Sequence, residues 1–338
     1  MITIDGSYLE GGGQILRTAV ALSTLTGKSV QIHHVRKGRK KPGLRPQHLH
    51  GIACAARICE AAVDGLRPNS LDIAFVPGQI RGGKFSVDTK TAGSVTLILQ
   101  TILPIGLCAP KPLELTIKGG TAVPYSPTTA YAQHVLCDML KRMGGRIFVR
   151  ILRHGFYPAG GGELLVRIEP APLEEIDLME RGILQKIDVE VVASLHLKDS
   201  RVAERMLYGF LKVFPHAQAR MQYVDIPSVG CYVSSHAHYA NGKLGADALG
   251  RQGIKAEEVG HGAASALQQE MKRQAPIDSW MVDQIIPYMA IAAMHKGTRS
   301  KVRIPMITHH AQTNMWVVEQ FLPVKFEVKD SVLMCASR

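Results

Sequence analysis

No CxxC pair occurs among the six cysteines, Cys54, Cys59, Cys108, Cys137, Cys231 and Cys335, which are scattered mostly through apolar stretches. Such spacing supports neither a zinc site nor a disulfide framework, so reduced and mostly buried thiols are expected. Long apolar runs are missing too. The longest, Ser94 to Pro110, is interrupted by Gln100 and Pro104 and falls short of the roughly 18 uncharged residues that a membrane span needs. The opening Met1-Ile-Thr-Ile-Asp-Gly6 lacks the charged and apolar regions of a signal peptide. A soluble, cytoplasmic protein with no membrane contact is expected. Acidic residues are in deficit: 28 Asp and Glu face 40 Lys and Arg, a net charge of +12, which favours a polyanionic partner. The familiar nucleotide and hydrolase motifs also fail. Thr26-Gly27-Lys28-Ser29 ends like a P-loop, but Leu22 stands where the first glycine belongs. There is no GxGxxG between strand and helix, no HExxH and no GxSxG.

What is present has a rhythm. In the first half, strand-like Ile2 to Ile4, Ser29 to Val35, Leu71 to Val76 and Phe85 to Val87 alternate with helical Ile15 onward and Pro46 to Ala62, with a turn at Gly82-Gly83. The order recurs from Ala92: helix to Leu107, strand Leu113 to Ile117, turn Gly119-Gly120, helix Pro127 to Met143, strand Ile147 to Leu152. The long helices start about 80 residues apart, as in a repeat of whole βαβ-type units. Glu169 to Gly182 then packs five acids and two prolines into fourteen residues and reads as a solvated linker. A new set follows from Ile187, and an apolar helix, Trp280 to His295, resumes the earlier style. Residues 185–277 are therefore expected to form a smaller domain inserted into a larger one made of 1–184 and 278–338.

Four stretches could carry chemistry. Glu10-Gly11-Gly12-Gly13-Gln14 opens the first helix, where glycines and free N–H groups can meet a phosphate and Glu10 could share a Mg²⁺ with it; a plain turn is the alternative. From Lys28 to Arg45 there are seven cations and no acid, an anion-binding loop or a solvated one. No aromatics interleave there, so base stacking by that loop is not indicated. His154 to Glu163, with its Gly160-Gly161-Gly162 run, must be a tight loop, structural or ligand-facing. Thr308-His309-His310 to Asn314 lies between a strand, Lys301 to Pro305, and an apolar helix from Met315, so a histidine there is either a nucleophile or structural. The pairs His48/His50 and His236/His238 lack a third ligand at metal spacing.

Together, EGGGQILR at 10–17, the basic loop at 36–48, AGSVTLILQTILP at 92–104, GGTxxPxSP at 119–127, RHGFYPAGGGEL at 153–164, Asp283-Gln284, and HxxTN with VVEQFLPVKF at 310–326 resemble the RNA 3′-terminal phosphate cyclase family along essentially the whole chain. The resemblance implies an α/β fold of three tandem βαβαββ-like units with a smaller α/β domain inserted. It implies ATP-dependent conversion of an RNA 3′-phosphate to a 2′,3′-cyclic phosphodiester, through a covalent histidine–AMP and an RNA-adenylate. His310 would be the nucleophile. Gln100 and Trp280, Met281, Val282, Asp283 and Gln284 would contact ATP. Arg17, Arg36, Arg39 and Gln47 would meet phosphates or RNA, and Glu10 a Mg²⁺ or Mn²⁺ ion. RNA with a 3′-terminal phosphate and ATP are the expected partners, with no obligate protein partner evident. Three positions depart from the family pattern: Trp280 where Tyr is frequent, Ala122 where Asp or Asn follows GGT, and Ala130 where an acid is usual. The rival readings are a non-catalytic RNA-binding relative in ribosomal RNA processing, which lacks the histidine, and an enolpyruvyl transferase, which shares the repeated unit.

Overall fold

The computed structural model describes residues 1–294 and 298–338. Its first sheet sets Ile2–Asp5, Val30–His33, Ile73–Val76 and Ala62–Asp64 side by side in that order. A second sheet repeats the pattern with Gly83–Asp88, Leu113–Gly119, Gly162–Glu169 and Arg146–Arg153, and a third with Asp177–Leu178, Arg299–Arg303, Val332–Ser337 and Val324–Lys329. In each, the first two strands are parallel and the remaining pairs antiparallel. A parallel pair needs a crossover, and helices Gly13–Thr26, Val95–Leu107 and Met281–Ala293 lie on the three crossovers. A second helix in each copy, Pro46–Cys59, the stretch 129–142 and His309–Phe321, precedes the closing hairpin.

Local chemistry sets these elements. Val95–Leu107 is apolar on nearly every side, as a helix enclosed by others must be, and the Leu97 N–H donates to Ser94 Oγ to cap it. Pro46 opens its helix at the first turn, where its missing N–H costs nothing. The Ala311 N–H donates to Thr308 Oγ at 3.1 Å, capping the last long helix. Helices from different copies then pack on one another, burying Ile15, Val20, Ile98, Ile102, Ile285, Met289 and Val317 in a common core.

Between Asp177–Leu178 and Met281–Ala293 the chain builds a fourth sheet, Gln218–Val224, Leu184–Ser194, Cys231–Tyr239 and Lys243–Leu249 in spatial order. Helices Val202–Leu211 and Ala256–Lys272 pack on it. Its core is its own: Val189, Val191, Met206, Phe210, Leu244 and Leu267. It meets the rest through an apolar cluster of Ala122, Ala130 and Phe156 with Val192, Ile226 and Tyr232. A second join is polar. The fully buried Asp278 carboxylate accepts from Tyr131 Oη at 2.7 Å, the Gly245 N–H at 2.8 Å, the Trp280 N–H at 3.0 Å and the Met281 N–H at 2.9 Å.

The structure corrects several expectations. The segment 169–182 is no solvated linker: Leu173, Ile176 and Leu178 are buried, and Asp177–Leu178 is a strand of the third sheet. Gly82-Gly83 does not turn one strand onto the next, because Ile73–Val76 and Gly83–Asp88 belong to different sheets. The second helix ends at Cys59, stopped by Glu60 in the left-handed region, and Ala62–Asp64 is a strand. The last long helix begins at His309 rather than Met315, because Ala311, Thr313 and Asn314 face the interior beneath its capped first turn. The expected helix Trp280 to His295 runs from Met281 to Ala293, and His295 lies outside the described residues.

Burial pushes the Asp278 carboxyl up to about 7. The folded chain therefore holds a proton that the unfolded chain releases near the ordinary carboxyl value of 3.8, so this group's contribution to stability is greatest at low pH and declines as pH rises toward 7. Asp278→Ala leaves buried donors unpaired, each costing about 1–3 kcal/mol, and lowers the thermal midpoint by several degrees. Melts of wild type and variant check the sign: the gap should narrow between about pH 5 and about pH 8.

Candidate active site

Three helix N-termini meet at one place. Gln14 lies in the first turn of Gly13–Thr26, Asp283 in the first turn of Met281–Ala293, and His310 in the first turn of His309–Phe321. Gln14 Nε2 donates to Asp283 Oδ2 at 3.0 Å, and Gln14 Oε1 lies 2.7 Å from His310 Nδ1. With its amide nitrogen donating to Asp283, Gln14 has its amide oxygen left to accept from the imidazole. His310 Nδ1 then carries the proton, and Nε2 keeps its lone pair. That Nε2 lies 3.6 Å from Glu10 Oε1. Behind this row, Asn314 Nδ2 donates to the Asp283 carbonyl at 2.7 Å and Thr18 Oγ1 to Asn314 Oδ1 at 2.6 Å.

Charges around His310 are tightly set. Burial lowers its pKa, Glu10 works against that, and Arg17 and Arg39 reinforce it, a balance that favours the uncharged imidazole. Burial raises the Asp283 carboxyl to about 7 despite the nearby Arg17. Arg17 itself is pushed down to about 10 by burial and remains a cation. Arg39 pairs with the Glu10 carboxylate and donates to the Glu10 carbonyl.

His310 stands on the wall between two open cavities. One, of about 470 Å³, is lined by Gln100, Trp280, Asp283, Gln284, Pro127 and Tyr131, with Asp247 and Leu249 from the fourth sheet. Gln100 Nε2 donates to Gln284 Oε1 at 2.9 Å, and Gln284 Nε2 to the Trp280 carbonyl at 2.9 Å, which fixes both amides along this wall. The half-exposed Trp280 presents an aromatic face at its edge. The other cavity, of about 680 Å³, is lined by Arg17, Arg36, Arg39, Gln47 and His48, together with Gly12 and Gly13. Gln14, Arg17, Leu97, Tyr125 and His310 border both. One cavity offers an aromatic and amide surface; the other gathers guanidiniums suited to phosphate.

A family model described as RNA 3′-terminal phosphate cyclase matches residues 8–328. The chain belongs to that family. A protein named RNA 3′-terminal phosphate cyclase from Methanosarcina acetivorans is 40% identical over 98% of this chain and 97% of its own length. Proteins of the same name from Pyrococcus furiosus and Pyrobaculum neutrophilum are 38% and 41% identical, covering 98% and 97% of this chain and 96% and 95% of their own. Among solved structures, the enolpyruvyl transferase NikO from Streptomyces tendae aligns with 99% of this chain and 50% of its own at 13% identity and a TM-score of 0.29, a likeness that carries no argument.

Most residues singled out by resemblance to the cyclase family converge here. His310, Gln100, Trp280, Asp283 and Gln284 line the first cavity, Arg17, Arg36, Arg39 and Gln47 the second, and Glu10 touches His310 and Arg39. Met281 and Val282 do not join them: both are 0% exposed in the helical core, because the helix turns those two positions inward. Ala122 and Ala130, where the chain departs from the family pattern, pack in the apolar join to the fourth sheet. The Gly160-Gly161-Gly162 loop is both structural and site-facing: Phe156 packs edge-on against Tyr232, while Tyr157 borders the arginine cavity. Asp247, Gln14 and the cavity tyrosines Tyr125, Tyr131 and Tyr157 were not among the residues that the sequence assigned to a site. Gln14 adjoins the glycine run and Tyr157 lies within the His154 to Glu163 loop, and those were the signals that could have found them.

Gly13 is required by close approach, since a Cβ there would collide with the His48 ring. That ring is buried, and its Nδ1 accepts the Arg45 N–H at 3.1 Å. Gly13→Ala should therefore cost about 1–3 kcal/mol through overpacking. Adding His48→Ala should restore part of that loss, and a double-mutant cycle on thermal or denaturant unfolding reads the coupling.

Proposed function

We propose that this chain is an ATP-dependent RNA 3′-terminal phosphate cyclase that works through a histidine–AMP intermediate. The observation that carries the reading is His310 standing between a cavity suited to a nucleotide and a cavity suited to a phosphate end. In the first step His310 Nε2 attacks the α-phosphorus of ATP. An N–P bond forms, the α–β P–O bond breaks and pyrophosphate leaves. Gln14 holds the Nδ1 proton throughout, so the attacking atom is never blocked. In the second step an oxygen of the RNA 3′-phosphate attacks the same phosphorus and the N–P bond breaks, regenerating neutral imidazole and leaving an RNA-adenylate. The vicinal 2′-hydroxyl then attacks the RNA 3′-phosphorus, the anhydride P–O bond breaks, AMP leaves, and the hydroxyl proton passes to solvent. Adenylylation is needed because a phosphate oxygen is a poor leaving group until it is part of an anhydride. The final step is intramolecular and needs little beyond orientation.

The side chains divide the work. Trp280, Gln100 and Gln284 would grip the adenosine, and Arg17, Arg36, Arg39 and Gln47 the phosphates. Arginine forks aimed at a phosphate also stabilise charge that builds in the transition state. A single carboxylate, Glu10, beside a phosphate-binding cavity fits a hard cation that takes most of its oxygens from phosphates and water, so Glu10 would hold Mg²⁺ or Mn²⁺ shared with the nucleotide. Such an ion supplies charge neutralisation at the phosphates. We also read 1–184 and 278–338 as the catalytic domain and 185–277 as an inserted one. A non-catalytic relative that only binds RNA would have no use for a neutral imidazole oriented by an amide between two cavities. No helix among the described residues is long and apolar enough to cross a membrane.

The test is an oligoribonucleotide ending in a 3′-phosphate, incubated with the protein, ATP and Mg²⁺ or Mn²⁺. The end should become resistant to phosphatase as the cyclic diester, and His310→Ala should abolish that conversion. Folded wild-type protein that leaves the end phosphatase-sensitive with either metal overturns the reading.

A further inference from the structure

The arginine cavity accounts for a phosphate but not for the nucleotide that bears it. Its lining includes two tyrosines, Tyr125 and Tyr157, that packing does not explain, and Tyr125 borders the first cavity as well. Tyr125 is 100% exposed and Tyr157 is 66% exposed, and both line the cavity that holds Arg17, Arg36 and Arg39. Among the described residues no large apolar side chain is more exposed than Tyr125. Folding gains nothing from an aromatic ring left in water. Tyr125 also sits at φ 65°, a backbone region that non-glycine residues rarely adopt.

The two rings come from loops that the fold ties together. Ala122 pairs with Phe156 in an isolated bridge, and the Thr121 N–H donates to the Gly155 carbonyl at 2.8 Å. Tyr157 directly follows Phe156, whose ring is buried against Tyr232. On its far side the Ala159 N–H donates to Ser228 Oγ at 3.0 Å. The rings are thus free while their backbones are anchored, which suits a platform rather than a flexible arm.

We infer that Tyr125 and Tyr157 form a stacking platform for the unpaired base of the 3′-terminal nucleotide, setting its phosphate among the arginines. This rests on the proposed function and deepens it, since it names what part of the RNA is recognised. Every base has a π-face, so such a platform tolerates any of the four while requiring that the terminal base be unpaired. The basic loop supplies charge and these two separate loops supply stacking, a division of labour between segments far apart in sequence.

The test compares oligoribonucleotides with a normal or an abasic 3′-terminal nucleotide, both 3′-phosphorylated, in steady-state cyclisation. With wild-type protein the abasic end should raise KM about 10-fold or more with little change in kcat, and the four normal bases should differ only a few-fold. Tyr157→Ala and Tyr125→Ala should raise KM for the normal end and lose little more on the abasic end, while Tyr157→Phe should behave as wild type. Equal KM for normal and abasic ends in the wild type overturns the platform alone, and needs no variant to fold. Losses from tyrosine and base that multiply independently overturn it too. No cyclisation of either end by folded wild type overturns the activity itself, and the platform with it.

Discussion

Everything at this site hangs on one amide. Gln14 receives the His310 proton on its oxygen and gives a proton of its nitrogen to Asp283. The first helix and two helices of the third copy are thereby fixed to one another at their N-termini. A shift of any of these helices would break a bond in this row. The Asn314 and Thr18 pair behind it repeats the tie one layer deeper. The proposed nucleophile is therefore held by helix packing and not by a loop, the arrangement that would keep a reacting atom within a fraction of an ångström.

The repeated architecture explains why the tie falls there. Each parallel strand pair requires a crossover helix, and packing these crossovers into a shared core brings starts of helices together. Helix starts offer unpaired N–H groups and partial positive charge, so the meeting point favours phosphate before any arginine is counted. Arg17, Arg36 and Arg39 add full charges to it. The fourth sheet is part of the same construction. Asp278 binds it to Tyr131 and to the start of the Trp280 segment, and Asp247 reaches from it to the wall of the first cavity.

Much of this was legible in the order of residues. Alternation and helical spacing placed most strands and long helices, and the glycine run, the basic loop and the His-x-x-Thr-Asn segment all came to the site. The failures have physical causes. Asp177–Leu178 hid inside an acidic stretch because a two-residue edge strand leaves no periodic signal, whereas its burial depends on Arg299–Arg303 far along the chain. The first turn of the last long helix is polar in sequence because its inward residues, Thr313 and Asn314, are satisfied by hydrogen bonds in place of apolar packing. Met281 and Val282 share a motif with Trp280 and Asp283, yet helical rotation sends their side chains into the core. Gln14 and Tyr157 sit inside marked glycine-rich stretches but take their roles from neighbours distant in sequence, and no local pattern marks Asp247 or Tyr125.

The claim at the centre is that His310 Nε2 is an unprotonated, oriented nucleophile for a nucleotide phosphorus. Folded protein incubated with α-labelled ATP and Mg²⁺ or Mn²⁺, then denatured, tests it most directly. The account predicts label on His310 through a bond that acid cleaves and alkali spares, and none on His310→Ala. Wild type that takes up no label with either metal, or carries it on another residue, would contradict the account.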